Sequence, residues 1–261
     1  MLHRQDEEGV IAISQPAHAW VSGQLARHWG NNLFPEFDEE VCLAAEQHDI
    51  GFLEWDMAPT WNPKTGLPYS FLDLPPRTHF EIWTAGVRKM MRLGRYPALL
   101  VSLHYSGLAR KGLSSQDQDA ESLAANFISE QEELQTSLII SLKNDFYYGP
   151  TSADEVIERD REMISLWDWI SLLLCLGFRK EKRITGVPGK HGSIELEMVA
   201  LDGGKRIRIS PWPFRKPRIE LICEGRRLLK RYGSEEEMRS MLRAGAPITI
   251  PMELVEEEVE G

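Results

Sequence analysis

The sequence predicts a mainly α-helical fold carrying a small C-terminal β-rich region. Three observations predict it. From about residue 14 to residue 176, apolar residues recur at helical spacing between recognisable start and stop signals. Beyond about residue 180 the period changes to alternation, with Ile194, Leu196 and Met198 interleaved with Glu195 and Glu197. A chain of 261 residues, 42% of them hydrophobic, is also long enough for one sizeable core with an appended lobe. The expected division is a helical domain over 1–180 and a β-rich region over 181–261 packed on it, because the period changes without a flexible linker.

Residues 1–13 read as an irregular or strand-like start that ends in Val10-Ile11-Ala12-Ile13. Ser14-Gln15-Pro16 opens the first helix, since proline suits the first helical position, and the helix runs to about Trp29. A second helix is expected from about Asp38 to Ile50, with an acidic first turn that complements the helix dipole and Gly51 as its stop. Residues 52–77 hold Pro59, Pro63, Pro68, Pro75 and Pro76 among Trp55, Trp61, Tyr69 and Phe71. A loop of that length and aromatic content reads as a lid or binding segment. Thr78–Leu93 reads as a helix with Thr78 as N-cap and Glu81 completing a capping box. Further helices are expected over Pro97–Leu108, Gln116–Asn144 and Ser152–Leu176. The C-terminal pattern gives a hairpin about Asp202-Gly203-Gly204, a strand at Arg218–Cys223 and a short helix from Ser234 to about Arg243. Residues Pro247–Val255 then precede an acidic tail.

Composition limits the partners. A net charge of −10 and a pI of about 5.3 argue against broad electrostatic capture of nucleic acid. Cys42, Cys175 and Cys223 are odd in number and far apart in sequence, so they read as buried free thiols in a reducing compartment. The polar N-terminus lacks the apolar core of a signal peptide. The longest apolar run, Trp167–Phe178, contains Asp168 and Ser171 and is too short to span a bilayer. A soluble cytoplasmic protein with no membrane partner is expected.

The chemistry centres on Val41–Gly51, where His48-Asp49 follow an apolar helical segment. Adjacent residues on a helix point about 100° apart, yet both can reach one ion near the helix end. A histidine with a carboxylate suits iron, manganese or zinc. Of seven histidines, His18, His48, His79 and His104 fall on four successive expected helices, and helical bundles build metal sites from such inward-facing side chains. Asp168 lies in SLWDWISLLLCL, a segment apolar on most sides. A buried carboxylate without a partner costs about several kcal/mol, so Asp168 must meet a cation.

The order His18, His48-Asp49, Asp168 resembles the HD-domain superfamily of metal-dependent phosphohydrolases, whose motif is a helix-borne His, an HD pair and a late Asp. The string HDIG at 48–51 is a frequent form of that pair. His79 and His104 resemble the two extra histidines of the binuclear branch, which includes cyclic dinucleotide phosphodiesterases and inositol-oxygenase-like diiron enzymes. The resemblance covers about residues 14–176 and implies an HD-domain-like helical bundle. It implies one divalent ion held by His18, His48, Asp49 and Asp168, and a second held by His79 and His104 with Asp49 bridging. The metals implied are iron or manganese, with zinc, magnesium or nickel also compatible. His48 and Asp49 would be catalytic, and a hydroxide held between two ions would attack a phosphorylated small molecule or nucleotide. Arg77, Arg110 and Lys111 are candidates for meeting phosphate, and Trp55, with Trp61 and Tyr69, for an aromatic lid. Asp56 and Glu54 are candidates for positioning the ligands. The same ligand set also fits a diiron oxygenase, or a non-catalytic scaffold stabilised by metal. The C-terminal region is free to cover the cleft or to form the contact of a homodimer.

Overall fold

Alternating residues at both ends of the chain, not only at its C-terminus, pair into one sheet. The computed structural model describes residues 1–112, 118–149 and 152–256. Strands β1 (Leu2–Asp6) and β2 (Gly9–Ile13) form an N-terminal hairpin in register Leu2 with Ile13. β2 then pairs antiparallel with β8 (Arg218–Leu228). With β5 (Glu181–Gly189), β6 (Gly192–Leu201), β7 (Arg206–Ser210) and β9 (Pro247–Val255) they make a seven-stranded sheet in the order β1-β2-β8-β9-β7-β6-β5. The β7–β9 pair is parallel, unlike the others, and the mixed sheet curls into a half-barrel. The protein is about 52% helical and 24% strand, so the expectation of a mainly α, all-helical bundle with a minor β appendage is corrected.

The sequence hid this sheet for physical reasons. β1 (LHRQD) is too short and polar to alternate visibly, and β5 (EKRITGVPG) is largely exposed and charged. β9 contains Pro247 and Pro251, which weaken a strand signal.

The expected helices form, with shifted ends. α1 (Gln15–His28) starts where Ser14 Oγ accepts from Ala17 N at 3.2 Å. α2 (Glu39–Gln47) ends with His48 as its C-cap, and the chain tightens into a 3-10 turn at Ile50–Phe52 before the short α3 (Leu53–Met57). Gly51 lies inside that turn and is not a left-handed stop. A Cβ there would stand 2.2 Å from Ile82 O and 3.0 Å from Gly86 Cα, so glycine lets the turn touch α4 (Pro76–Met90). α4 begins at Pro75-Pro76, which leaves Thr78 inside the helix and no capping box at that position. α5 (Arg95–Gly112), α6 (Gln118–Lys143) and α7 (Asp154–Leu176) follow. The expected α6 start at Gln116 and the acidic tail beyond residue 256 lie outside the described residues. α8 (Glu235–Ala244) is capped by Ser234, whose Oγ accepts from Glu237 N at 3.2 Å.

The aromatic loop is ordered by a two-stranded hairpin, β3 (Trp61–Asn62) with β4 (Leu67–Pro68), and Trp61 Nε1 donates to Tyr232 O at 3.1 Å. One continuous core joins helices and sheet. It includes Leu25, Trp29 and Trp167 from the helical side and Leu196, Ile209, Leu221 and Leu254 from the strands. α1 packs on β8, while α7 packs on β1 and β5. The three cysteines are free and buried, and Cys175 Sγ lies 3.8 Å from Cys223 Sγ. Among the described residues no helix is long and apolar enough to cross a membrane.

Candidate metal centre

Four helices deliver five ionisable side chains to one buried point. α2 and α7 each pack against both α1 and α5. His18 comes from α1, His48 and Asp49 from the end of α2, His104 from α5 and Asp168 from α7. The three histidine side chains are 1% exposed, Asp49 8% and Asp168 11%. His18 Nε2 lies 3.0 Å from Asp49 Oδ2 and 3.8 Å from Asp168 Oδ1. His48 Nε2 lies 3.3 Å from Asp168 Oδ1 and 3.7 Å from Asp49 Oδ2. His104 Nε2 lies 3.4 Å from Asp168 Oδ2. Two overlapping groups that could hold a metal ion result, His18/His48/Asp49 and His48/His104/Asp168.

The outer nitrogen of each ring fixes what the inner one presents. His48 Nδ1 donates to Ala45 O at 2.8 Å, because a carbonyl only accepts. Ser171 Oγ spends its one proton on Asp168 O at 2.7 Å, so it accepts from His18 Nδ1 at 2.8 Å. His104 Nδ1 meets Ser165 Oγ at 3.0 Å. Neutral rings at His18 and His48 therefore turn the lone pair of Nε2 toward carboxylate oxygens, which repels unless a cation stands between them. His48 Nε2 and His104 Nε2 are buried without a hydrogen-bond partner. Donors spaced about 3 Å apart suit nitrogen and oxygen ligands that each bind an ion at about 2.0–2.2 Å, so the donor set fits a divalent metal.

Ser165, Asp168 and Ser171 recur every third residue of α7 and share one face. Ser22, one turn after His18 on α1, donates to Ser171 Oγ at 2.9 Å and so steadies the hydroxyl that holds His18. Asp49 is held in turn: Gln15 Nε2 donates to its Oδ2 at 3.0 Å and Tyr105 OH to its Oδ1 at 3.3 Å. That single Tyr105 hydroxyl proton is shared with His48 O. Asp56 supports this arrangement from one step away, since its Oδ2 accepts from Gln15 N at 2.6 Å. Glu54 instead pairs with Lys89 on an exposed face.

The electrostatics show the same demand for positive charge. Burial opposes a charge on His48, yet Asp49 and Asp168 outweigh it and lift its pKa to about 9. Burial alone would raise both carboxyls. His48 and His18 pull Asp49 down instead, and His48 and His104 hold Asp168 well below the usual carboxylate range. In the protein without metal, a proton on His48 supplies part of the charge that an ion would otherwise bring.

The centre lines a cavity of about 200 Å³ that is otherwise walled by Phe52, Phe71, His79, Trp83, Leu108 and Leu172, with Gln15 beside the ligands. His79 belongs to this wall and to neither ligand group; its ring lies 4.5 Å from Trp83 and 5.7 Å from Phe52, and burial lowers its pKa. The basic and aromatic residues proposed for substrate are placed elsewhere. Arg77, Arg110 and Lys111 are exposed, Arg110 pairs with Glu132 at 2.6 Å, and none of them nor Trp55 lines the cavity. The aromatic loop does reach the cavity, through Phe52 and Phe71, while Trp61 is turned toward Tyr232. Sequence reasoning missed Gln15, Ser165, Ser171, Tyr105 and Trp83. Gln15, Ser165 and Ser171 share a spacing of three residues from His18 or Asp168, a pattern too common on helices to single them out.

Fold and site together define an α+β protein with a buried His/Asp centre able to hold a metal ion. The model of the family described as a protein of unknown function (DUF3891) matches residues 1–230, and the chain belongs to that family. No curated protein and no solved structure matches it.

Proposed function

We propose that the chain is a metal-dependent phosphohydrolase acting on a phosphorylated small molecule at the His/Asp centre. The observation that carries this reading is the pair of orphaned nitrogens, His48 Nε2 and His104 Nε2, facing Asp168 at 3.3 and 3.4 Å. His18, His48, Asp49, His104 and Asp168 would hold one or two divalent ions, iron or manganese. His79, on the cavity wall, would join them where a second ion binds. The likeness to HD-domain phosphohydrolases, carried by the order of these residues along the chain, belongs to the same proposal. When bound, the metal supplies an acidified water near neutral pH and neutralises phosphoryl charge. Gln15 and Tyr105 fix the Asp49 carboxylate, and Ser171, Ser165 and Ala45 O fix the three imidazoles, so the ligands need little reorganisation. The buried free thiols fit a reducing cytoplasmic setting.

Manganese- or iron-loaded protein is expected to release phosphate from members of a phosphomonoester panel. His48→Ala should lower that rate by more than the roughly 10–100-fold that loss of an outer hydrogen-bond partner costs. Silence across the panel with metal fully loaded would overturn the reading. A second reading, oxygen activation by a pair of iron ions, is favoured by the apolar cavity wall. Oxygen uptake on adding an organic substrate, with a mixed-valent iron signal in EPR, would select it.

A further inference from the structure

We infer that the substrate of this centre is a small aryl or alkyl phosphomonoester, whose group next to the phosphoryl is uncharged and apolar. This deepens the phosphohydrolase reading and rests on it. Beyond the ligands, the cavity wall is Phe52, Phe71, Trp83, Leu108 and Leu172, with His79 and Gln15 as its uncharged polar side chains. Among the described residues that line it there is no lysine or arginine. A second or third phosphate would therefore lie against aromatic and aliphatic carbon, where an unpaired charge is costly. The basic side chains nearest in sequence do not relieve this, since Arg110 is bound to Glu132 and Arg77 is exposed. The two aspartates cancel the charge of one divalent ion, and a second ion leaves a net charge of +2, enough for one phosphoryl dianion with no surplus for a chain of them.

Size and shape agree with the charge argument. The cavity holds about 200 Å³, less than the roughly 300–1,000 Å³ common for drug-sized ligands. One face of Trp83 is already stacked on Tyr105, with ring centroids 5.0 Å apart and planes 13° apart. The Phe52 and His79 rings stand edge to face at 5.7 Å. An aromatic group on the substrate would find edge and offset contacts here, the arrangements aromatic rings prefer. Phe71 comes from the 3-10 turn Phe71–Asp73 of the long loop, so that segment supplies specificity through an apolar ring.

The test is calorimetric titration of manganese-loaded protein with two non-hydrolysable probes, phenylphosphonate and methylphosphonate, and with pyrophosphate. Phenylphosphonate should bind about tenfold or more tightly than methylphosphonate, as expected when several apolar carbons enter a fitted pocket. Pyrophosphate should be the weakest of the three. Phe71→Ala should cut the phenyl advantage to less than about threefold while metal content stays unchanged. Leu108→Lys should move the preference toward pyrophosphate. Equal binding of the phenyl and methyl probes, or tighter binding of pyrophosphate, overturns the substrate assignment and leaves the hydrolase reading standing. Failure of the protein to take up manganese or iron overturns both.

Discussion

Three histidines in this protein are aimed by what holds their outer nitrogens. His18 leans on Ser171 at 2.8 Å, His48 on Ala45 O at 2.8 Å and His104 on Ser165 at 3.0 Å. Ser171→Ala removes an orienting hydrogen bond without touching a ligand, and should weaken metal binding by about 10–100-fold in a chelator competition. An unchanged affinity would show that the serine is only packing. The pKa of His48 gives a second prediction. Its folded value is about 9 against an ordinary 6.5, so the folded protein without metal keeps a proton that the unfolded chain loses between those values. That proton contributes stability fully below pH 6.5, and the contribution is lost as pH rises through 9. Asp49 and Asp168, both lowered, contribute stability above their unfolded pKa values and lose it as pH falls through the folded ones. Metal must displace the His48 proton, so apparent metal affinity should rise about tenfold per pH unit toward 9 and then level. An affinity flat across that interval would contradict the ligand role of His48.

At the scale of elements, the turn after α2 positions the His48-Asp49 pair. Gly51 allows it, because a Cβ at that position would sit 2.2 Å from Ile82 O on α4. Gly51→Ala should cost about 1–3 kcal/mol in urea unfolding and lower metal retention, since it pushes the turn away from α4. Unaltered stability would mean that the α4 contact yields freely. The helices were legible because His18, His48, His104 and Asp168 interrupt otherwise apolar helical segments, which marks both the element and its exceptional residue. The clustering of their side chains follows from that shared inward face. Ser165 and Ser171 were not legible, since a serine three residues from an aspartate is ordinary on any helix. The strands were partly legible. β6 and β7 alternate cleanly about Asp202-Gly203-Gly204, but β1 is five residues long and β5 presents charge on both sides of a mostly exposed edge. Thr78 and Glu81 have capping-box spacing, yet Pro75-Pro76 starts α4 earlier because a proline costs nothing in the first turn.

At the scale of the whole molecule, the sheet braces the helices that carry the site. α1 lies on β8, and the N-terminal hairpin ties the start of α1 to the same strand. Core residues from both layers are continuous, so helices and sheet should unfold together. Far-UV circular dichroism and tryptophan fluorescence should give one coincident midpoint, and separated midpoints would show two independent units. Added manganese should raise that midpoint and a chelator should lower it, because an ion that binds only the folded state stabilises it. The most direct measurement is elemental analysis of protein purified without added metal, for wild type and for Asp168→Asn, whose oxygens in the native chain face all three ligand histidines. A bound divalent ion in the wild type, at close to one or two equivalents per chain, and little in the variant is the predicted result. Wild-type protein that carries no metal, even after reconstitution with iron or manganese, would contradict the account.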